Sequence, residues 1–346
     1  MQEKDPLVSI IILNYNFGDL LLNCVESIRN SKYKNYEIIL VDNASKDNSH
    51  KKCAEKFPEI KLIENKENLG YSGGNNVGIK EAKGEFLVIL NPDTTVVENW
   101  LNELLNAYKT HGEALFQPKL LSLEDKSKIN TAGNMIQTFG FGFSFGKAET
   151  DSEKYNIPRK IGFASGACLF TSKDLMNRIG NFEQFLFAYH DDMDFSWRAT
   201  KMGIYSYYVP SAVVYHLGSY TYQWNQKKFY LIERNRHYCL LTHYSRKTIL
   251  KMLPALFLIE CAMILFFFSK RMLRQKLRAY YDIIKNSKYI SQKHAESEKL
   301  RKLSDKEVVK NFVDKIFVPE YVTSKFNNKI FNGAIVFLSK SIRPLI

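Results

Sequence analysis

The segment AYHDDMDFSWRA (188–199) sets three carboxylates, Asp191, Asp192 and Asp194, within four positions. Negative charges so close together repel, which raises at least one carboxyl pKa and suits that group to general-base work. The same residues also suit a solvated helix start, where Asp is favoured. In such a helix Asp194 and Arg198 are i,i+4 partners on one face. A further carboxylate closes the apolar run of LVILNPDTTVV, where Leu87–Leu90 breaks on Asn91, Pro92 and Asp93. A carboxylate at the end of a buried strand is placed to hold a divalent cation, Mg2+ or Mn2+, against a diphosphate. Asn-Pro-Asp-Thr equally suits a plain type I turn with proline at its second position.

The elements that must position these groups alternate along the chain. LVSIIILNYN, YEIILVDNAS, IKLIENKENLG and EFLVIL read as strands; LLLNCVESIRN, SHKKCAEKF and NNVGIKEAKG read as helices. Strands alternating with helices imply a mostly parallel sheet covered on both faces, with ligands outside the carboxyl ends of its strands. Asn14, Asp42, Asn65 and Asp93 then fall along one rim. Neither GxGxxG nor GxxxxGK[ST] follows the first strand, which argues against a dinucleotide fold and a P-loop. NLGYSGGNNVG brings Gly70, Gly73, Gly74 and Gly78 together, either to let the backbone approach a ligand ahead of a helix or as a surface turn.

The net charge of +13 is unevenly spread. Residues 1–222 hold 24 Lys and Arg against 27 Asp and Glu, and residues 223–346 hold 25 against 9. This split places a boundary near Tyr222 and directs the second part towards an anionic surface, lipid or nucleic acid. LPALFLIECAMILFFF (253–268) is apolar all round apart from Glu260. Its 16 residues fall short of the roughly 20 that cross a bilayer, so a monotopic or re-entrant helix at a cytoplasmic leaflet is expected ahead of a helix packed in a soluble core or dimer interface and of a true span. Lys270–Lys302 carries 11 basic residues against 3 acidic ones and would lie on anionic headgroups. Five scattered cysteines without a CxxC pair, and a polar start at Met1–Pro6, point to a reducing, cytosolic-side compartment. The aromatic stretch QTFGFGFSFG (137–146) reads as a flexible loop able to cover a sugar, or as a surface hairpin.

Taken in order, VSIIILNYN, VDNAS, NLGYSGGNNVGI, LNPDT, SGACLFTSKDL, IGNFEQFLFAYHDDMDFSWRATKMG and VVYHLGS resemble the inverting family 2 glycosyltransferases of the GT-A fold, the rhamnosyltransferase-like branch above all. The resemblance spans about Val8 to Tyr222. It implies an α/β fold with a mostly parallel sheet and helices on both faces over that span; the basic tail after it reads separately as a mainly helical, membrane-associating region. It also implies that Asp42 binds the nucleotide base and that Asn14 and Tyr15 line the same pocket. Asn43, Asn68, Gly70, Gly74, Asn75, Ser165 and Gly166 complete the donor site by the same resemblance.

Asp93 matches the last acidic residue of the family's DxD-type motif, with Asn91 where the first Asp would stand. In the pattern EDxDLxxR, Asp191 replaces Glu, Asp192 matches the base, and Asp194 and Arg198 match the supporting residues. His216 matches the first position of HxxGxS, beside diphosphate or metal, although Ser219 comes one place early and Tyr220 stands where that Ser would be. The implied activity is transfer of a sugar, rhamnose as first choice, from a dTDP- or UDP-sugar to a glycan or lipid-linked glycan. It would take place at the cytoplasmic face of a membrane, with oligomers allowed and nucleic acid not expected as a partner. A sugar-1-phosphate nucleotidyltransferase shares the alternating architecture but needs a Gly-rich, basic loop after the first strand, which LNYNFGDL lacks. A nucleic-acid binder using the basic tail would leave the acidic rim without a role.

Overall fold

The computed structural model describes residues 5–218, 225–317 and 325–346; the boundary at Tyr222 and the residues Ser219 and Tyr220 lie outside them. The chain divides into two compact units. The first comprises Met1–Asn134, Ser144–Ser196 and Ile204–Tyr220; the second comprises Met135–Phe143, Trp197–Gly203 and Thr221–Ile346. The second unit therefore takes two short segments from the part of the chain that precedes Tyr222.

In chain order the elements up to the central strands are β1 (Val8–Asn14), α1 (Asp19–Arg29), β2 (Tyr36–Asp42), α2 (Ser49–Lys56), β3 (Lys61–Glu64), α3 (Gly70–Glu81), β4 (Phe86–Leu90), β5 (Thr94–Val96), α4 (Trp100–His111), β6 (Leu115–Ser122) and β7 (Ile129–Thr131). A small hairpin, β8 (Asn134–Ile136) with β9 (Gly142–Ser144), precedes β10 (Arg159–Ile161), β11 (Cys168–Ser172), α5 (Lys173–Ile179), α6 (Asp191–Lys201) and β12 (Ser206–His216). The main sheet runs β10-β12-β6-β11-β4-β1-β2-β3, with β5 on β12 and β7 on β6. Pairings β1–β2, β1–β4, β2–β3 and β6–β12 are parallel, and β11 inserts antiparallel between β4 and β6.

Burial follows the patterning. The β4 run Phe86–Leu90 is buried throughout, as a strand covered on both faces must be. Leu21, Cys24, Val25 and Ile28 form the buried stripe of α1 at helical spacing. In β12 the register with β6 shifts between Val209 and Val213, around Pro210, which has no N–H to give to a ladder.

The second unit is built from α7 (Gln226–His243), α8 (Arg246–Ser269), α9 (Leu273–Lys285), α10 (Ser287–Lys299), α11 (Asp305–Val308) and α12 (Lys325–Ile342). Two expectations change here. The apolar helix α8 is 24 residues long, long and apolar enough to cross a membrane by length and composition, because it begins at the Ser245 cap well before Leu253. Nor is Glu260 an isolated polar residue. Its carboxylate, with that of Glu233 on α7, meets Arg236, His237, Lys276 and the Tyr280 hydroxyl. Burial pushes both carboxyls upward, but Arg236, His237 and Lys276 more than offset it, leaving Glu233 at about 2 and Glu260 lower still. Removing one member of such a buried cluster strands the others. Arg236→Ala is expected to destabilise the second unit by about 3–5 kcal/mol in urea titration; a loss below about 1 kcal/mol would mean that water reaches the cluster.

The stretch 137–146 is not a free lid. Gln137, Thr138 and Phe139 are fully buried. Arg236 Nη1 donates to the Phe139 carbonyl at 3.2 Å, the Tyr244 hydroxyl donates to the Thr138 carbonyl at 2.8 Å, and Thr138 Oγ1 meets Ser339 Oγ at 2.8 Å. Trp197 packs edge-on against Tyr244 and Phe312 within the same unit. Hydrophobic cover and backbone hydrogen bonding thus hold a segment whose Gly and Phe content reads as a loop.

Candidate active site

The rim at the carboxyl ends of β1, β2 and β4 collects the polar residues. Asn14 and Asp42 are register partners, both buried, and Asn14 Nδ2 donates to Asp42 Oδ1 at 2.8 Å. The other Asp42 oxygen accepts the Ser45 N–H at 2.9 Å, and His50 Nδ1 lies 3.3 Å from Oδ1. Tyr15, next along the rim, is half-buried. An amide network follows: Asn65 Nδ2 donates to Asn43 Oδ1, Asn43 Nδ2 donates to the Gly70 carbonyl at 2.9 Å, and the Gly70 N–H donates to Asn68 Oδ1 at 2.8 Å.

The glycines after Asn68 are helical: α3 starts at Gly70, ahead of the expected Asn75. Gly70 has φ +72, which few side chains tolerate, and a Cβ there would strike the Phe187 carbonyl. Gly74 was expected to give a ligand room, but its open side faces the sheet instead. A Cβ at that position would come within 2.3 Å of Leu13 Cδ1 and 2.9 Å of Asn43 Nδ2. Gly78 likewise makes room for Ile11. These glycines let α3 lie close on β1. Asn75 is buried beside them, donating to the Tyr71 carbonyl while its Oδ1 has no hydrogen-bond partner among the described residues.

Asp93 and His216 are brought together by strand pairing. β5 and β12 run antiparallel with Thr94 opposite His216, so the residue before Thr94 meets the imidazole. Asp93 is 3% exposed; its Oδ1 lies 3.4 Å from His216 Nε2, and its Oδ2 accepts the Gly218 N–H at 3.1 Å. Burial pushes the Asp93 carboxyl upward, but the His216 imidazole and the Gly218 N–H hold it below the ordinary range, so it is ionised at neutral pH. Asn130 Oδ1 faces the other ring nitrogen of His216 at 3.2 Å, and no local signal in the sequence marks Asn130 for that task. Asp93 Oδ1 makes no hydrogen bond among the described residues. A buried, ionised oxygen with spare capacity next to an imidazole fits a divalent cation that keeps water and phosphate oxygens as its remaining ligands.

The acidic cluster is carried by a loop in which Phe187, Tyr189 and His190 all have positive φ, a costly conformation held in place before α6 begins. Asp191 is buried, Asp192 half-buried and Asp194 buried. Burial, then the charges of Asp192 and Asp194, push the Asp191 carboxyl far above the usual range. Burial raises Asp192 as well, opposed by the N–H groups of Gly166, at 3.0 Å from Oδ2, and Met193, at 2.9 Å from Oδ1. Arg198 sits one turn beyond Asp194 on α6, in the segment assigned to the second unit.

Ser165 and Gly166 precede β11, whose Cys168 pairs with Leu90, while Asn91 N–H donates to the Ala167 carbonyl at 3.0 Å. Two residues that sequence reasoning missed fix this turn. The Tyr71 hydroxyl donates to the Gly166 carbonyl at 2.7 Å, and Gln117 Oε1 accepts the Ser165 N–H at 2.9 Å. A Cβ on Gly166 would sit 2.4 Å from that hydroxyl, so the position requires glycine. Gln117 did leave a trace, as a polar residue inside the buried run of β6; Tyr71 left none.

Residues 9–180 match the model of Glycosyl transferase family 2. The chain carries a family 2 glycosyltransferase domain. A low-salt glycan biosynthesis hexosyltransferase of Haloferax volcanii is 26% identical over 204 residues, 57% of this chain and 62% of that protein. An N-acetylglucosaminyl-diphospho-decaprenol L-rhamnosyltransferase of Mycobacterium tuberculosis is 24% identical over 232 residues, 61% of this chain and 76% of that protein. The match to the Haloferax glycosyltransferase thus spans less than two thirds of that relative. The crystal structure of GalNAc-T7 with UDP, GalNAc and Mn2+ superposes with a TM-score of 0.59 at 16% identity, covering 73% of this chain and 51% of that one. The fold is therefore GT-A-like, and the family is Glycosyl transferase family 2.

Proposed function

We propose that this chain is an inverting glycosyltransferase that moves a sugar, rhamnose as first choice, from a dTDP- or UDP-sugar to a lipid-linked or membrane-proximal glycan. The observation that carries the reading is the half-buried Asp192 carboxylate, held by the Gly166 and Met193 N–H groups on the rim that also bears the Asp93–His216 pair. Asp192 takes the proton of the acceptor hydroxyl as its oxygen attacks the anomeric carbon. The bond from that carbon to the diphosphate breaks on the opposite face, the nucleoside diphosphate leaves and the configuration inverts. Asp93 and His216 would hold a divalent cation, Mg2+ or Mn2+, which supplies positive charge for the departing diphosphate. Ser165 and Gly166 form a rigid wall beside the base, and Asn14, Tyr15, Asp42 and Asn43 line the nucleotide side of the rim.

The same proposal places the enzyme on the cytoplasmic face of a membrane. In α8 the Glu260 carboxylate is bound to partners on α7 and α9, while Leu250 and Phe257 are 66% and 69% exposed. A helix tethered by a charge at its middle and apolar outside suits lying in the headgroup region better than crossing it.

Thermal shift with a panel of nucleotide sugars, each with Mn2+ or Mg2+, tests the donor. A donor at about 100 times its Kd stabilises by roughly 2.7 kcal/mol, and dTDP- or UDP-sugars should do so only with the cation present. Stabilisation by none of them would remove the reading.

A further inference from the structure

We infer that the cleft between α7 and α9 is a headgroup site for an anionic, hydroxyl-bearing phospholipid such as phosphatidylglycerol. The inference rests on the membrane reading above and names its point of contact. The cleft has a volume of about 630 Å³ and is lined by Gln226, Lys227, Tyr230, Arg274, Gln275 and Arg278. Three of the six are cations, all exposed, and none is acidic. Asp282 accepts the Tyr230 hydroxyl and stands 4.0 Å from Arg278 Nε.

The cleft is built to keep its shape. Gln275 Nε2 donates to Gln226 Oε1 at 2.7 Å, tying α9 to α7, and the Arg278 guanidinium lies 4.7 Å from the centre of the Tyr230 ring. Gln275 Oε1, buried beside this tie, has no hydrogen-bond partner among the described residues. A phosphate oxygen cannot satisfy an acceptor, whereas a headgroup hydroxyl can.

What favours a lipid over a soluble phosphate is the apolar flank. Phe229, next to Tyr230, packs on Phe266 and Phe267 at the end of α8, with ring centroids 6.2 and 5.9 Å apart. The Met272 N–H donates to the Phe267 carbonyl at 2.8 Å, so α9, which carries Arg274, follows directly. Leu265 and Phe268, in that last stretch of α8, are each 68% exposed. A phosphate in the cleft would thus have its acyl chains beside an exposed apolar surface. A free anion would leave that surface in water.

The test is flotation of the full chain with vesicles of phosphatidylglycerol and phosphatidylcholine, at about the physiological 0.15 M salt. Wild type is expected to bind, and the combined variant Lys227→Gln, Arg274→Gln, Arg278→Gln to bind roughly 10²-fold more weakly, about one lipid-facing charge after another. The combined variant Lys285→Gln, Lys288→Gln, Lys299→Gln, which removes the same charge from exposed positions on α9 and α10, should lose less than about threefold if contact is local. Circular dichroism and Tm confirm that both variants fold. Equal loss in the two would overturn the cleft and leave the membrane reading standing. Absence of wild-type binding would overturn both. Pocket-dependent stabilisation by inorganic phosphate without vesicle binding would overturn the lipid as occupant.

Discussion

Asp192→Asn is expected to lower turnover by roughly 10²-fold or more while donor affinity stays within about twofold. The amide oxygen still accepts one of the two N–H groups that hold the carboxylate, from Gly166 at 3.0 Å or Met193 at 2.9 Å, and gives up the other, so a small loss in Tm is expected with the fold retained. What disappears is the capacity to take a proton. Asp191 is poorly suited to replace it, since it is buried, and burial and two neighbouring charges push its carboxyl far upward. A base with a raised pKa loses activity as pH falls through that value, so wild-type kcat/KM should carry an acid limb above the ordinary Asp range. Asp191→Asn should leave the limb nearly in place, because burial is what raises Asp192, and should cost less turnover than Asp192→Asn. Should Asp191→Asn prove crippling while Asp192→Asn stays active, the assignment is wrong by one residue. Steady-state kinetics across pH, with donor binding measured separately, decide between them.

Asp93→Asn is expected to weaken cation-dependent nucleotide binding by roughly 10–100-fold and to leave the Tm of the nucleotide-free protein nearly unchanged. Asparagine keeps an oxygen for the Gly218 N–H, at 3.1 Å from Oδ2 in the native chain. It removes the ionised oxygen, Oδ1, that faces His216 and makes no hydrogen bond among the described residues. Calorimetric titration of the nucleoside diphosphate with and without Mn2+ reads this directly. Unchanged affinity and unchanged cation dependence would count decisively against Asp93 as a ligand.

The sheet was legible because its strands are short apolar runs whose burial leaves little choice, as at Phe86–Leu90. The start of α3 was not. Gly70, Gly73 and Gly74 have poor helix propensity and read as a loop, yet they are helical; Gly74, with Gly78 further on, lets α3 approach Leu13 and Ile11, while Gly70 clears Phe187 and Gly73 clears Leu69. Gln137–Phe141 misread for the converse reason. Its glycines and aromatics suggest freedom, whereas Arg236 and Tyr244, far along the chain, supply the hydrogen bonds that bury it. In α8, hydropathy predicted an apolar surface but could not reveal that Glu260 finds Arg236 and Lys276.

By itself the sequence determined the alternation of strands and helices, the rim on which Asn14 and Asp42 end their strands and Asp93 follows β4, the crowding of Asp191, Asp192 and Asp194, and the family. These are local properties, written in runs of a few residues. Only the tertiary structure decided which of those residues meet. Antiparallel pairing of β5 with β12 sets Thr94 opposite His216 and so delivers Asp93 to the imidazole. Pairing of β11 with β4 brings Ser165 and Gly166 to the same edge, where Tyr71 fixes the turn and Gly166 reaches Asp192. Strand register depends on hydrogen bonds between segments distant in sequence, and one residue of slip would turn each side chain to the other face. No local pattern carries that information.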